Sequence, residues 1–164
     1  MQANHQDSLH VREALATDCQ SLVEFNAKMA LETEAKPLDR ELLEAGIRAA
    51  LGDAKRGRYF VAERAGRSIG CLMLTLEWSD WRNGWFWWIQ SVFVEANQRR
   101  SGVFRKLYES VIERARETDD VAGVRLYVDA ENRVAQSVYE ALGMSQSHYL
   151  MYELDFVLAA GESE

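Results

Sequence analysis

The segment NQRRSGVFR, Asn97 to Arg105, places two arginines, a serine and one glycine between a strand-like apolar run ending near Val94 and a helix-periodic run. If a strand ends there and a helix opens near Gly102, the unpaired amides of the first turn converge on one concavity. The helix dipole favours negative charge at that point. Arg99, Arg100, Ser101, Gly102, Val103 and Phe104 then form a cradle for a pyrophosphate. The plainer alternative is an ordinary corner with solvated arginines, since short glycine-loop matches arise by accident. A second concentration of chemistry lies upstream, where all five tryptophans fall between Trp78 and Trp88, interleaved with Glu77 and Asp80. Carboxylates among π-faces can hold an ammonium ion. Equally, alternate tryptophans of a strand fill both faces of a sheet.

Those residues need elements to position them. LHVREA reads as a short first strand, and Thr17 as the N-cap of a helix from about Asp18 to Leu31 that carries Leu22, Val23, Phe25 and Met29 on one side. Pro37 breaks the pattern, and Asp39 caps a second helix with Leu42, Leu43, Ile47 and Leu51. RYFVAER and IGCLMLTLEW, joined by AGRS, suit an antiparallel hairpin. WFWWIQSVFV is the longest strand candidate, with Trp87 and Ile89 on one face and Trp88 and Gln90 on the other.

Arg105 to Glu117 is helix-periodic through Leu107, Val111, Ile112 and Ala115, and GVRLYVD reads as a buried strand beyond it. That strand, helix, strand unit implies a right-handed parallel crossover. ENRVAQSVYEALGM is a final helix with Val134, Val138, Ala141 and Leu142 inward and Gly143 as its stop. SQSHYLMYELDFVL reads as a last strand region and AAGESE as a polar tail expected to fray. The expected fold is α+β, a mostly antiparallel meander followed by one parallel crossover. It forms a single domain over 1–164, with its core at about 9–156 and a polar tail at 159–164.

Composition narrows the function classes. At 164 residues the chain can bury a core without disulfides or metal. No apolar run approaches the roughly 20 residues that cross a bilayer, and the first ten residues lack the pattern of a secretory signal, so a cytoplasmic location is expected. Cys19 and Cys71 read as two buried thiols. The scattered His5, His10 and His148 give little support to a zinc site or a histidine-activated nucleophile, and no metal is expected. A net charge of −7 opposes nucleic acid and anionic lipid and favours cationic partners, which tilts the reading toward amines.

Two motifs read together carry more than either alone. Arg99-x-x-Gly102-x-Phe104 and, further on, Asn132, Ala135, Tyr139, Gly143 and Met144 stand in the register and order of two motifs of the GCN5-related N-acetyltransferase (GNAT) family, which this sequence resembles from Leu9 to Phe156. Phe104 departs from the family's small residue, so its ring is expected to point toward Leu107 and Tyr108 while its amide still donates.

The resemblance implies the GNAT fold, a mixed, mostly antiparallel sheet with a splayed parallel strand pair and flanking helices. It implies acetyl-CoA as cosubstrate, bound along the backbones of Val92, Phe93 and Val94, at the 99–104 loop and by Asn132; helix capping is the plainer role for Asn132. Tyr139 is then the general acid that protonates the CoA thiolate.

The family's usual glutamate positions are Trp88 and Tyr127 here, so a base must come from elsewhere or from ordered water. Glu32, Glu34, Glu77, Asp80 and Trp81 are the acceptor-side candidates. The implied reaction is direct acetyl transfer to a primary amine of a small molecule in a ternary complex. A protein or peptide acceptor, and a noncatalytic acyl-CoA-binding protein, are the alternatives. An exposed tryptophan patch could also serve a homodimer.

Overall fold

A computed structural model describes residues 8–157, so His5 and the 159–164 tail lie outside the described residues. The chain divides after Tyr127 into two compact units. In the first, a sheet of strand order β1-β2-β3-β4-β5 is built from β1 (His10–Glu13), β2 (Arg58–Arg64), β3 (Arg67–Ser79), β4 (Gly84–Val94) and β5 (Val121–Leu126). The first four strands pair antiparallel, and β5 runs parallel to β4. Three helices complete this unit: α1 (Cys19–Glu34), α2 (Arg40–Gly52) and α3 (Val103–Glu117).

Local chemistry explains most boundaries. The Asp39 carboxylate accepts the Glu41 and Leu42 amides at 2.9 and 3.0 Å and starts α2 as expected. At α1 the expected Thr17 cap is replaced by Asp18. Its carboxylate accepts the Leu15 amide at 2.7 Å and a two-pronged contact from Arg12 at 2.8 and 3.0 Å, which a threonine hydroxyl could not match. The helix also runs one turn beyond Leu31, ending at Ala35 in a left-handed conformation (φ 52°) with no glycine to announce it.

Two layers cover the sheet. On one face α1 and α2 bury Leu22, Phe25 and Ile47 against Tyr59, Val61, Cys71 and Phe93, with Phe25 and Phe93 stacked at 5.2 Å. On the other, α3 buries Val103, Leu107 and Val111, and its Arg114 guanidinium lies 5.3 Å from the Phe60 ring. Trp87 and Ile89 are buried on that α3 side, and Trp88 and Gln90 point to the α1 side, as alternation predicts.

Along β4 the alternation breaks opposite Met73. Leu74 pairs with Ile89 but Leu72 pairs with Val92, so Gln90 and Ser91 together oppose Met73 in a β-bulge. The extra residue turns Phe93, not Val92, toward α1. β5 differs from the expected GVRLYVD in beginning at Val121, where the Trp85 amide donates to the Asp120 carbonyl at 2.7 Å, and in ending at Leu126.

The second unit holds α4 (Arg133–Ala141), capped by the Asn132 side chain accepting the Ala135 amide at 3.1 Å. Gly143 (φ 89°) closes it as expected, its amide donating to Glu140. Two expectations fail here. Val134 is 79% exposed and Val138 39%, and Ala141 is exposed, so the predicted inward stripe is not buried. An amphipathic helix hides its stripe only against another element, and this unit offers no strand or second helix among its described residues. Residues 145–157 likewise form no strand, because extended backbone needs a ladder partner to be one.

Candidate active site

The site is organised by where β4 and β5 part. Their last parallel pair is Ile89 with Leu126, whereas β4 continues to Val94. Val92, Phe93 and Val94 remain paired on one side to Leu72, Cys71 and Gly70. On the other side, beyond the last pair, β5 no longer supplies a ladder. A strand edge left this way offers amides and carbonyls to an extended ligand. The bulge at Gln90 and Ser91 falls at the same point, directly after the last parallel pair. Gly70 keeps β3 close enough to support that edge: a Cβ there would stand 2.8 Å from the Phe93 carbonyl oxygen.

The chain leaves β4 through a short 3-10 turn, Ala96–Gln98, and enters α3 by two left-handed residues, Arg100 (φ 63°) and Gly102 (φ 82°). The Ser101 hydroxyl donates to the Gln98 carbonyl at 2.6 Å and fixes the corner. The first α3 bond runs from Lys106 to Gly102 at 3.0 Å, so the amides of Gly102 and Val103 have no acceptor inside the helix. Unpaired amides together with the dipole of a 15-residue helix are the features that suit an anion. Phe104 turns its ring to Tyr108, centroids 6.1 Å apart, as its spacing predicts.

The arginines divide. Arg100 is exposed, whereas Arg99 folds back: its Nε donates to the Val94 carbonyl at 3.0 Å, and its guanidinium pairs with Glu32 and lies 5.8 Å from the Phe93 ring. Glu32 thus braces the loop from the end of α1, while Glu34, two residues on, is exposed.

The acceptor-side candidates separate. Asp80 and Trp81 lie in the β3–β4 turn, where the Asp80 carboxylate accepts the Trp81 amide at 2.9 Å and Trp81 is 86% exposed. Strand rise puts Gly84, next to that turn, roughly 25 Å along β4 from Val92. Trp78 and Trp85 pack edge-on at 5.0 Å on the α3 side. Glu77 belongs instead to a network on the α1 side. One of its oxygens accepts from Trp88 Nε1, and the other accepts from Arg125 at 2.9 Å.

Next to that network a hydrogen-bonded chain reaches the parting of the strands. The Tyr127 hydroxyl donates to Gln90 Oε1 at 3.2 Å, and Gln90 Nε2 donates to Thr75 Oγ1 at 2.9 Å. Sequence reading did not single out Arg125 or Thr75, and noted Tyr127 only for lacking a carboxylate. The available signal was the shared period of two, Trp88 with Gln90 and Arg125 with Tyr127, which places all four on one face.

An open depression of about 480 Å³ lies on the β3 side of β4, between α1 and the β2–β3 turn, crossed by a Lys28–Glu95 ion pair at 3.0 Å. It is on the opposite side of β4 from the splayed edge. In the second unit, Tyr139 is half-buried on α4, and desolvation raises its phenol above the ordinary tyrosine value. Among the described residues, no cluster of three His, Cys, Asp or Glu could hold a metal ion and no helix is long and apolar enough to cross a membrane.

A five-stranded sheet with a splayed parallel pair and an amide-rich helix start beside it is the arrangement expected of an acetyltransferase. Residues 20–144 match the Acetyltransferase (GNAT) family, and the chain belongs to that family. A possible acetyltransferase from Clostridium difficile 630 is 40% identical with a TM-score of 0.85, over 91% of this chain and 98% of that one. The ribosomal-protein-alanine N-acetyltransferase of Brucella melitensis biovar Abortus 2308 shares the fold at 13% identity and TM-score 0.72, over 91% and 100% of the two chains. The aminoglycoside N-acetyltransferase AAC(6')-Iy, in complex with CoA, does so at 15% identity and TM-score 0.76, over 94% and 99%. A comparison with curated proteins gives no match.

Proposed function

We propose that this protein transfers the acetyl group of acetyl-CoA to a primary amine of a small molecule, by direct attack in a ternary complex. The observation that carries this reading is the unladdered edge of β4 at Val92–Val94, which leads through the Arg100–Gly102 turn into the start of α3. An extended pantetheine arm matches the first feature and a pyrophosphate the second. The CoA complex of AAC(6')-Iy supports the same cosubstrate here.

In this reading a β4 amide donates to the thioester carbonyl and stabilises the oxyanion as the amine nitrogen bonds to the carbonyl carbon. The C–N bond forms, the C–S bond breaks, and the thiolate takes its proton from Tyr139, the residue that stands at the family's acid position. The acceptor reacts as the neutral amine, its ammonium proton given to solvent beforehand. The nitrogen loses its second proton to solvent as the C–S bond breaks, and solvent returns a proton to the Tyr139 phenolate. Because burial raises the Tyr139 phenol, it remains protonated at neutral pH and is available as a donor.

The test is calorimetric titration with acetyl-CoA, followed by thiol release over a panel of amines, amino acids and peptides. Micromolar uptake with release dependent on a small amine is expected. Binding without release for any acceptor would leave an acyl-CoA-binding module, and no uptake overturns the proposal.

A further inference from the structure

We infer that the acceptor is an amine that also carries a carboxylate, and that Arg125 reads the carboxylate; this rests on the acetyl-transfer reading above. Arg125 projects from β5 on the sheet face that β3 and β4 share beyond the α1–α2 core. Its guanidinium carbon lies 3.5 Å from the Phe86 ring centroid and 5.9 Å from that of Trp88, so the group rests over an aromatic floor. Gly123 makes the floor possible, because a Cβ there would be 2.8 Å from Phe86 Cε1.

Glu77 takes one edge of the guanidinium through Nη1 at 2.9 Å. Of its five N–H groups, this is the one that has a protein acceptor among the described residues. The side chain is 33% exposed, so a donor edge is left toward solvent. Arg82 lies over the same Phe86 ring at 5.0 Å and adds a second positive charge, while Asp80 is turned into its own loop.

A planar guanidinium with one edge fixed and one edge open is the group that binds carboxylate in two-pronged fashion. The Glu77 carboxylate has both oxygens engaged, one by Trp88 Nε1 and the other by Arg125, so it fixes the guanidinium and leaves the acceptor's amine to extend away from it. Tyr127 and Gln90, one row nearer the splayed edge, separate this anchor from the place where β4 offers its amides. Carboxylate recognition on β5 therefore leaves the amine directed along the face toward the thioester. A plain amine lacks this anchor, and its decarboxylated shape leaves the open guanidinium edge to water.

The experiment compares matched pairs in the thiol-release assay: L-lysine with cadaverine, L-phenylalanine with phenethylamine, and glycine with methylamine. At least one carboxylated member is expected to exceed its partner tenfold or more in kcat/KM. The variant Arg125→Met, which keeps the packing on Phe86 without the charge, is expected to bring that ratio to about one, mainly through KM. Arg125→Lys keeps the charge without the fork and serves as the second variant, with circular dichroism melts reporting the fold of both.

Equal rates for both members of every pair overturn this inference and leave acetyl transfer standing. If no acceptor is turned over, acetyl transfer fails, and this inference is then judged by tryptophan fluorescence on titration with L-lysine and with cadaverine. A response to L-lysine alone supports it, and no response, or equal responses, overturns it.

Discussion

The ring of Phe104 rests against that of Tyr108, one turn along α3, with centroids 6.1 Å apart. A bulky residue thus occupies a position where a small one is usual in this family, yet its side chain leaves the loop along the helix. The backbone at the start of α3 is therefore not what the ring occupies. Phe104→Ala is expected to leave the affinity for acetyl-CoA within about threefold while losing about 1 kcal/mol of stability from the ring contact. Calorimetry and thermal melts check the two separately, and a tenfold gain in affinity would show that the ring obstructs the cradle.

Gly102 carries the opposite constraint. Its φ of 82° is left-handed, and a Cβ there would meet nothing within 4 Å, so substitution acts through backbone strain alone. Gly102→Ala is expected to cost about 1 kcal/mol in stability and to weaken acetyl-CoA binding roughly tenfold as the turn relaxes and its amides diverge. Unchanged affinity would detach the loop from cofactor binding.

Asp18 and Arg12 form the ion pair that starts α1. Arg12, by hydrogen bonding, holds the Asp18 carboxyl below its usual value against an opposing effect of burial. A folded-state value below the unfolded one stabilises the protein above the ordinary aspartate range and loses that contribution as pH falls through the folded value. Asp18→Asn is therefore expected to cost about 2–3 kcal/mol at pH 7 by leaving Arg12 short of a partner. The gap between variant and parent should narrow below about pH 4. Urea melts at pH 7 and pH 3 supply the comparison.

Burial pushes the Cys71 thiol up to about 12, and Cys19 is buried with it in the α1–sheet core. Neither thiol is expected to react with Ellman's reagent at pH 8 in the native protein, and both should react in guanidinium. The same property keeps the background of a thiol-release assay low. Native-state labelling of two thiols would contradict the core packing around Phe93.

The legible parts of the molecule were those governed by short-range chemistry. Asp39, the β2–β3 hairpin and the faces of Trp87 and Trp88 follow from capping and a period of two. The 99–104 turn was readable because its glycine and its neighbours sit together in the chain. What escaped depends on distant pairing. Glu77 and Arg125 meet across 48 residues, and nothing local to either announces the other. The bulge at Gln90 is invisible without β3 beside it, and it decides that Phe93 packs on Phe25. Residues 145–157 have strand-like composition but no ladder, since composition supplies a preference and only a partner supplies hydrogen bonds.

Tyr139 offers the sharpest test of chemistry. Desolvation raises its phenol above the ordinary tyrosine value, so the neutral, proton-donating form predominates at neutral pH while the neutral amine accumulates. The rate should therefore rise with pH from neutrality as the neutral amine accumulates, with the fall due to loss of the acid displaced to higher pH than an ordinary tyrosine would give. Tyr139→Phe removes the donor with almost no change of shape. It is expected to lower kcat about 100-fold, within the range typical of a general acid, while acetyl-CoA affinity stays within about twofold. Every acceptor should show the same deficit, because the leaving group is the CoA thiolate in each case. If kcat is unchanged, the thiolate takes its proton from water and the acid role assigned by position is lost.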